Sequence, residues 1–214
     1  MGGATDLEVF DLEGKRFLNM DTEEEGYLMV SCCGGRRMRM YLPVERVAAS
    51  QDKKTYAIRI RGLKGGHSGA DIHLQRASAN VLMGRLLLEL REEFDYDLVQ
   101  ANGGNMDNAI CREAEMIICI DPAKEAAAKE LVSEMQKIFW AEYKDRESDI
   151  LMTMEEVEGA TDVLTAEVRD HIIALLKLLP YGVQTMDTNM EGLVESSSNI
   201  GIVRTEARSE ERRV

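Results

Sequence analysis

The stretch TYAIRIRGLKGGHSGADIH, residues 55–73, changes character at its glycines. In its first half, the apolar residues Tyr56, Ile58 and Ile60 alternate with Arg59 and Arg61. A period of two places apolar and charged side chains on opposite faces of an extended chain. This half therefore predicts a half-buried β-strand.

A long helix is predicted to follow this strand. Ser68, with Asp71 three residues later, forms a capping pattern that is typical of a helix N-terminus. Apolar side chains then recur at helical spacing up to about Phe94, at Leu74, Ala77, Val81 and Leu88. We therefore expect the helix to begin within the glycine-rich segment.

The chain beyond this helix contains two strand-like runs and a second helix. The runs, YDLVQA at 96–101 and AEMIICI at 114–120, flank a connection that is rich in asparagine and glycine. The segment 121–143 predicts a helix with Asp121 as N-cap and Pro122 at its first position. Its predicted buried stripe consists of Ala127, Leu131, Met135 and Ile138.

The order of the predicted elements indicates the fold. Residues 149–158 alternate again as a strand, so residues 55–158 read strand, helix, strand, strand, helix, strand. That order is ferredoxin-like, and the fold class is α+β. A third helix, ended by Pro180 and Gly182, and a final strand-like stretch, SNIGIVRTEA at 198–207, are predicted to extend it.

Charge and composition restrict the function. The formal net charge is −13 and the pI is about 4.8, which argues against a nucleic-acid partner because phosphate neutralisation needs clustered Lys and Arg. No apolar run of about 18 residues predicts a membrane span. Cysteines 32, 33, 111 and 119 form no CxxC pair, and we interpret them as reduced thiols of a cytoplasmic protein.

His67 is the first candidate functional residue, because glycines flank it at the junction of strand and helix. Glycines allow a ligand to approach the backbone closely, and a helix start favours anions. The alternative is a tight turn with an exposed histidine. The spacing of His67, His73 and His171 does not favour a zinc site made by these three histidines alone.

The stretch NGGNMDNAICREA, residues 102–114, is the second candidate. Asn108 flanks a predicted turn, and Arg112 follows at a distance from which it could bind a carboxylate in bidentate fashion. The alternative is ordinary hairpin chemistry, since Asn and Gly are turn formers. The residues alone leave both interpretations open.

Four segments together resemble a known family. GLKGGHSGADIHLQRASAN, NGGNMDNAICREA, LLPYGVQTM and EGLVESSSNIGIV are similar, in this order, to segments of the aminoacyl-histidine dipeptidases. These enzymes, also called Xaa-His or cytosol non-specific dipeptidases, are two-zinc metallopeptidases. FLNMDTEEEG followed by SCCGG also resembles the segment in which the family has a zinc-ligating aspartate, here Asp21. The resemblance extends over residues 10–206.

The resemblance implies a function for each candidate. It implies a dipeptide hydrolase with two zinc ions, which forms a homodimer through an inserted lid domain. His67 of one subunit would contact the oxyanion in the active site of its partner, and Asn108 and Arg112 would contact bound dipeptide. Cys111 stands where the family typically has proline, which loosens the turn between Asn108 and Arg112.

The resemblance also implies residues that this sequence lacks: an HxD motif, a bridging aspartate, a Glu-Glu pair and a last histidine ligand. We therefore expect an internal fragment that is inactive alone. Residues 1–48 would be the end of the first segment of the catalytic α/β domain, 49–206 the lid or dimerisation domain, and 207–214 a tail. The alternative is a stand-alone dimerisation or binding module without catalysis.

Overall fold

A computed structural model describes residues 14–16, 25–26 and 34–206. The chain divides into two compact units, Met1–Arg39 and Met40–Val214. The helices and strands of the described residues all lie in the second unit. Asp21 lies outside the described residues, and the predicted division at residues 48 and 206 stays a prediction.

Residues 40–206 contain ten strands and three α-helices. They are β1 (Arg46–Ala48), β2 (Lys54–Arg61), β3 (Gly66–His67), α1 (Ala79–Glu93), β4 (Asp97–Gly103), β5 (Ala109–Ile110), β6 (Ala114–Ile120), α2 (Glu125–Tyr143), β7 (Leu151–Glu156), β8 (Asp162–Leu164), α3 (Ala166–Leu178), β9 (Gly182–Met186) and β10 (Val194–Ser198).

The central sheet has four antiparallel strands in the order β4–β6–β2–β7. In chain order these are the second, third, first and fourth strands of the sheet, which is the ferredoxin-like arrangement. The predicted fold class is confirmed. In β2, Tyr56, Ile58 and Ile60 are fully buried in the core against the helices, as the alternation predicts.

Helix α1 begins later than the sequence predicts. Its first residue is Ala79, and the predicted first turns are instead a loop with one short 3-10 turn at Ile72–Leu74. The Asp71 carboxylate does not cap a helix, because it accepts the amide of His67. Gln75 adopts a left-handed conformation, with φ 51°, which an α-helix does not tolerate.

The buried stripe of α2 is rotated from its predicted position. Asp121 and Pro122 start a short 3-10 turn that continues into α2, as expected of an N-cap. Met135 is buried as predicted, whereas Ile138 is exposed. The sheet side of the helix is Ala128, Val132, Met135 and Phe139, because the large ring of Phe139 enters the core.

Two further differences lie after β7. The connection between α3 and the end of the described chain contains a hairpin of β9 and β10, which sequence analysis did not predict. In the predicted stretch SNIGIVRTEA, Ser198 ends β10, and residues 199–206 form no further strand of the central sheet, to which Val203 is joined by an isolated bridge with Gly103. Among the described residues, no helix has the length and apolar character needed to cross a membrane.

Candidate functional site

Strands β3 and β5 join two irregular segments of the chain. Their pairing places His67 opposite Ala109, and the Ser68 amide donates to the Asn108 carbonyl at 2.9 Å. The loop of residues 64–78, which we call the His67 loop, therefore lies against the hairpin that carries Asn108. The two stretches that the sequence singles out are adjacent in space.

The imidazole of His67 is oriented by its own loop. Its Nδ1 accepts the amides of Gly69 and Ala70, each at 3.1 Å, and the His67 amide donates to Asp71 Oδ2 at 2.8 Å. A neutral imidazole has one donor and one acceptor nitrogen, so the proton is on Nε2. His67 is exposed, and Nε2 has no partner within residues 34–206. The loop thus presents a hydrogen-bond donor to the outside.

Two glycines make this conformation possible. Gly65 and Gly66 have φ values of 66° and 138°, which side chains rarely adopt. A Cβ atom at Gly65 would collide with the side chain of Arg112, and one at Gly66 would lie 2.6 Å from both Arg76 and Asp71. The glycines before His67 are therefore required by backbone conformation and by close packing.

Arg112 lies across the start of the His67 loop. Its Nε donates to the Leu63 carbonyl at 3.2 Å, and its two terminal nitrogens have no partner within residues 34–206. Asn108 is half-buried, and its side-chain amide likewise has no partner in that range. Both side chains keep hydrogen-bonding groups available for a ligand. Their contact with substrate stays a prediction.

Cys111 stabilises the turn where the resembling family typically has proline. The side chain is buried, and its Sγ donates to the Glu113 carbonyl at 3.2 Å. Its own carbonyl accepts the Ala79 amide at 2.9 Å, which connects the hairpin to the start of α1. Burial raises the pKa of the Cys111 thiol above its ordinary value, which keeps the group neutral.

Sequence analysis missed two asparagines that support the site. Asn199 Nδ2 donates to the Ala109 carbonyl at 2.9 Å, and Asn80 Nδ2 donates to the Ile200 carbonyl at 2.9 Å. Together they attach residues 199–200 to the hairpin and to α1. Both lie within segments that carry the family resemblance, but spacing alone gives no signal for bonds to backbone atoms distant in sequence.

Charged side chains surround the ends of the His67 loop. Lys64, Arg76 and Arg146 line an open depression together with Leu74 and Asp145. Arg76 lies 3.8 Å from Asp71, and neither Lys64 nor Arg146 forms an ion pair within residues 34–206. The carboxylates of Asp71, Asp145 and Glu147 lie beside these three cations, so the charges at this place are mixed.

A zinc site does not form from the described residues. Within residues 14–16, 25–26 and 34–206, no group of three or more His, Cys, Asp or Glu side chains could hold a metal ion. His73 and His171 are exposed, the latter on α3. The described part of the chain therefore does not fit a resident zinc ion.

Comparison with known proteins identifies the domain. Residues 58–147 match the family model of the peptidase dimerisation domain. The cytosol non-specific dipeptidase of Escherichia coli is 36% identical over 203 residues, which are 95% of this chain and 42% of that protein. The chain thus spans less than half of the relative's length.

A solved structure shows the same relationship. The aminoacylhistidine dipeptidase of Vibrio alginolyticus superimposes with a TM-score of 0.75 and 36% identity, covering 77% of this chain and 34% of that one. The family resemblance seen in the four sequence segments is therefore confirmed. Residues 58–147 thus match a peptidase dimerisation domain, and the chain is similar to the cytosol non-specific and aminoacylhistidine dipeptidases.

Proposed function

We propose that this chain forms the lid and dimerisation part of a cytoplasmic dipeptidase that hydrolyses Xaa-His and related dipeptides. The match to the dimerisation domain and the identity to two dipeptidases support this proposal. The adjacency of His67 and Asn108 in one site supports it further. Residues 1–48 would belong to the catalytic α/β domain and residues 49–206 to the lid.

His67 is proposed to stabilise the transition state in the active site of a partner subunit. The observation that carries this proposal is the pair of hydrogen bonds from Gly69 and Ala70 to Nδ1. They leave Nε2–H as a fixed donor before any substrate arrives. A preorganised donor aimed at a developing oxyanion costs no reorganisation when charge appears during attack on the peptide carbonyl.

Asn108 and Arg112 are proposed to hold the dipeptide. The free side-chain amide of Asn108 can both donate to and accept from a peptide group. The terminal nitrogens of Arg112 form a planar donor pair that suits the C-terminal carboxylate of a dipeptide.

The metal belongs to the catalytic part of the proposed enzyme. The resemblance implies two zinc ions, with Asp21 as one ligand, and Asp21 lies outside the described residues. Bound zinc supplies an activated water and a Lewis acid for peptide hydrolysis. The residues that the structure describes contribute the donor at His67 and the contacts with substrate.

The isolated chain is expected to be inactive and to bind no stoichiometric zinc tightly, because Asp21 alone of the expected ligands is present. A hybrid dipeptidase, in which this chain's residues 49–206 replace the aligned segment of the Escherichia coli relative, is expected to hydrolyse a Xaa-His dipeptide. Zinc content by metal analysis and turnover by amine release check both expectations.

Hydrolysis by the pure, zinc-loaded isolated chain would contradict the proposal that catalysis needs zinc ligands from outside this chain. An inactive but dimeric, zinc-loaded hybrid would instead favour a stand-alone binding module. A chain that lacks residues 49–206 cannot replace the hybrid in these tests, because the deletion removes the site formed by His67, Asn108 and Arg112.

A homodimer is proposed to form along β7. The other edge strand, β4, is closed: the backbone groups of Ala101 and Gly103 bond to Thr205 and Val203, and the Val99 carbonyl accepts from Arg46. An open edge offers unpaired amides and carbonyls to a second copy of the chain.

The amide and carbonyl of Met154 lie on that open edge. The Val157 amide bonds inward to β2 and the Met152 amide bonds outward to Gln136, so alternation directs Met154 outward. Neither group has a partner within residues 34–206. Trp140, which is 50% exposed on the adjacent α2, provides apolar area beside this edge.

Met154→Pro is expected to weaken dimerisation by at least about 10-fold, because proline removes an outward amide that the strand does not use within its own subunit. Met154→Ala keeps the amide and serves as the control. Sedimentation equilibrium measures the association, and circular dichroism verifies the fold. Equal dimerisation of the two variants, or a monomeric wild type at high concentration, would exclude β7 as the interface.

A further inference from the structure

A buried carboxylate lies behind the His67 loop. Glu147 follows α2, where its amide donates to the Tyr143 carbonyl at 2.7 Å, and it is only 2% exposed. It forms no ion pair within residues 34–206. Burying an unpaired carboxylate is costly unless hydrogen bonds compensate for the lost water. Hydrogen bonds must therefore compensate for the water that the Glu147 carboxylate loses on burial.

Each oxygen of Glu147 accepts one backbone amide of the His67 loop. Oε2 accepts from Lys64 at 2.8 Å, and Oε1 accepts from Ala77 at 3.0 Å. These two residues lie at the two ends of the loop. One side chain from another element thus ties both ends together. Hydrogen bonds to a charged acceptor are the strong ones, and here both are removed from water.

Other bonds also hold the loop: Arg112 Nε donates to the Leu63 carbonyl, Lys64 Nζ donates to the Arg146 carbonyl at 2.7 Å, and the Ser68 amide donates to the Asn108 carbonyl. Within the loop, β3 is two residues long and one 3-10 turn covers three residues. Arg76 donates to the Gly65 carbonyl at 2.6 Å, and the Tyr181 hydroxyl donates to the Arg76 carbonyl at 2.8 Å. These bonds lie between Lys64 and Ala77, so Glu147 adds a closure outside them.

We infer that Glu147 is a positioning residue for His67. By fixing Lys64 and Ala77, it holds the loop in the shape in which Gly69 and Ala70 donate to Nδ1 and Nε2 remains the donor. The benefit to catalysis rests on the proposed function, whereas the effect on the histidine does not. Glu147 itself does not contact the imidazole.

The chemistry requires two acceptors at this position. In Glu147→Gln, one oxygen becomes an NH2 group that faces a backbone N–H, so one of the two bonds is lost. In Glu147→Asp, both acceptors remain but the side chain is shorter by one methylene and cannot reach both ends. Each variant should therefore release one end of the loop.

The test is nitrogen-15 NMR of the histidine rings in this chain. The wild type should show His67 in the single Nε2–H tautomer, assigned by the signals that His67→Ala removes. In Glu147→Gln, the His67 signals should shift toward those of the exposed His73, which reports a mixture of tautomers. The Lys64 and Ala77 amides should also lose protection from hydrogen exchange.

The control is Val132→Ala, which removes buried volume from the first half of α2 and none of the hydrogen bonds of the loop. It should lower thermal stability and leave the His67 tautomer unchanged. If Glu147→Gln does not fold, Glu147→Asp takes its place. A folded Glu147 variant whose His67 signals equal those of the wild type would overturn the inference.

In the hybrid dipeptidase, Glu147→Gln should lower kcat by about 10- to 100-fold with little change in KM, since small misplacements of a catalytic group are costly. Glu147→Asp, which also releases one end of the loop, should lower kcat in the same way. If the hybrid itself is inactive, the proposed function fails, but the tautomer measurement still decides the role of Glu147. The two failures are therefore distinguishable.

Discussion

His67→Ala is expected to lower kcat of the hybrid dipeptidase by about 100- to 1000-fold, or about 3 to 4 kcal/mol. The physical reason is that Nε2–H, fixed by the bonds at Nδ1, stabilises charge that exists only in the transition state. KM, zinc content and dimerisation should change little, because none of them uses this donor. Steady-state kinetics with a Xaa-His dipeptide measures the effect.

His73→Ala is the matched control for this prediction. His73 is an exposed histidine of the same loop, and its ring makes no hydrogen bond within residues 34–206. Its replacement should leave kcat unchanged and alter stability by less than about 0.5 kcal/mol. A His67→Ala hybrid with wild-type kcat would mean that the glycine-rich segment is only a turn.

Asn108→Ala should raise KM if Asn108 holds substrate equally in ground and transition states.

The sheet was predictable because its signals are local in sequence. Alternation in β2 and β7 reports which side chains enter the core, and the buried Tyr56, Ile58 and Ile60 agree with it. The start of α1 was not predictable in the same way. Ser68 and Asp71 satisfy a capping pattern, but the amides and the carboxylate of that pattern are used otherwise. The ring of His67 accepts the local amides, and the amide of His67 donates to the carboxylate of Asp71.

The candidate site was predictable as a set of residues, through the resemblance, but its support was not. Glu147, Asn80 and Asn199 act on backbone atoms far away in the sequence. Such bonds leave no periodicity and need no fixed spacing. The rotation of α2 has a related cause. More than one set of its apolar residues has helical spacing, and only the packing of Phe139 against the sheet selects the face that is buried.

Mixing two inactive hybrids is expected to restore activity if His67 acts across the subunit interface. One hybrid carries His67→Ala, and the other lacks one zinc ligand in its catalytic domain. A heterodimer then contains one composite site with intact metal ligands from the first chain and His67 from the second. Random exchange makes half of the dimers mixed, each with one of two sites intact, so recovery should approach about a quarter of the wild-type activity.

The interface along β7 links this result to Met154→Pro. If β7 joins the two subunits, Met154→Pro in both hybrids should abolish the recovery, because composite sites require dimers. Subunit exchange, followed by energy transfer between labelled chains, must be shown in the same mixture. Two hybrids that exchange subunits and stay inactive would place His67 in the active site of its own subunit, or outside catalysis altogether.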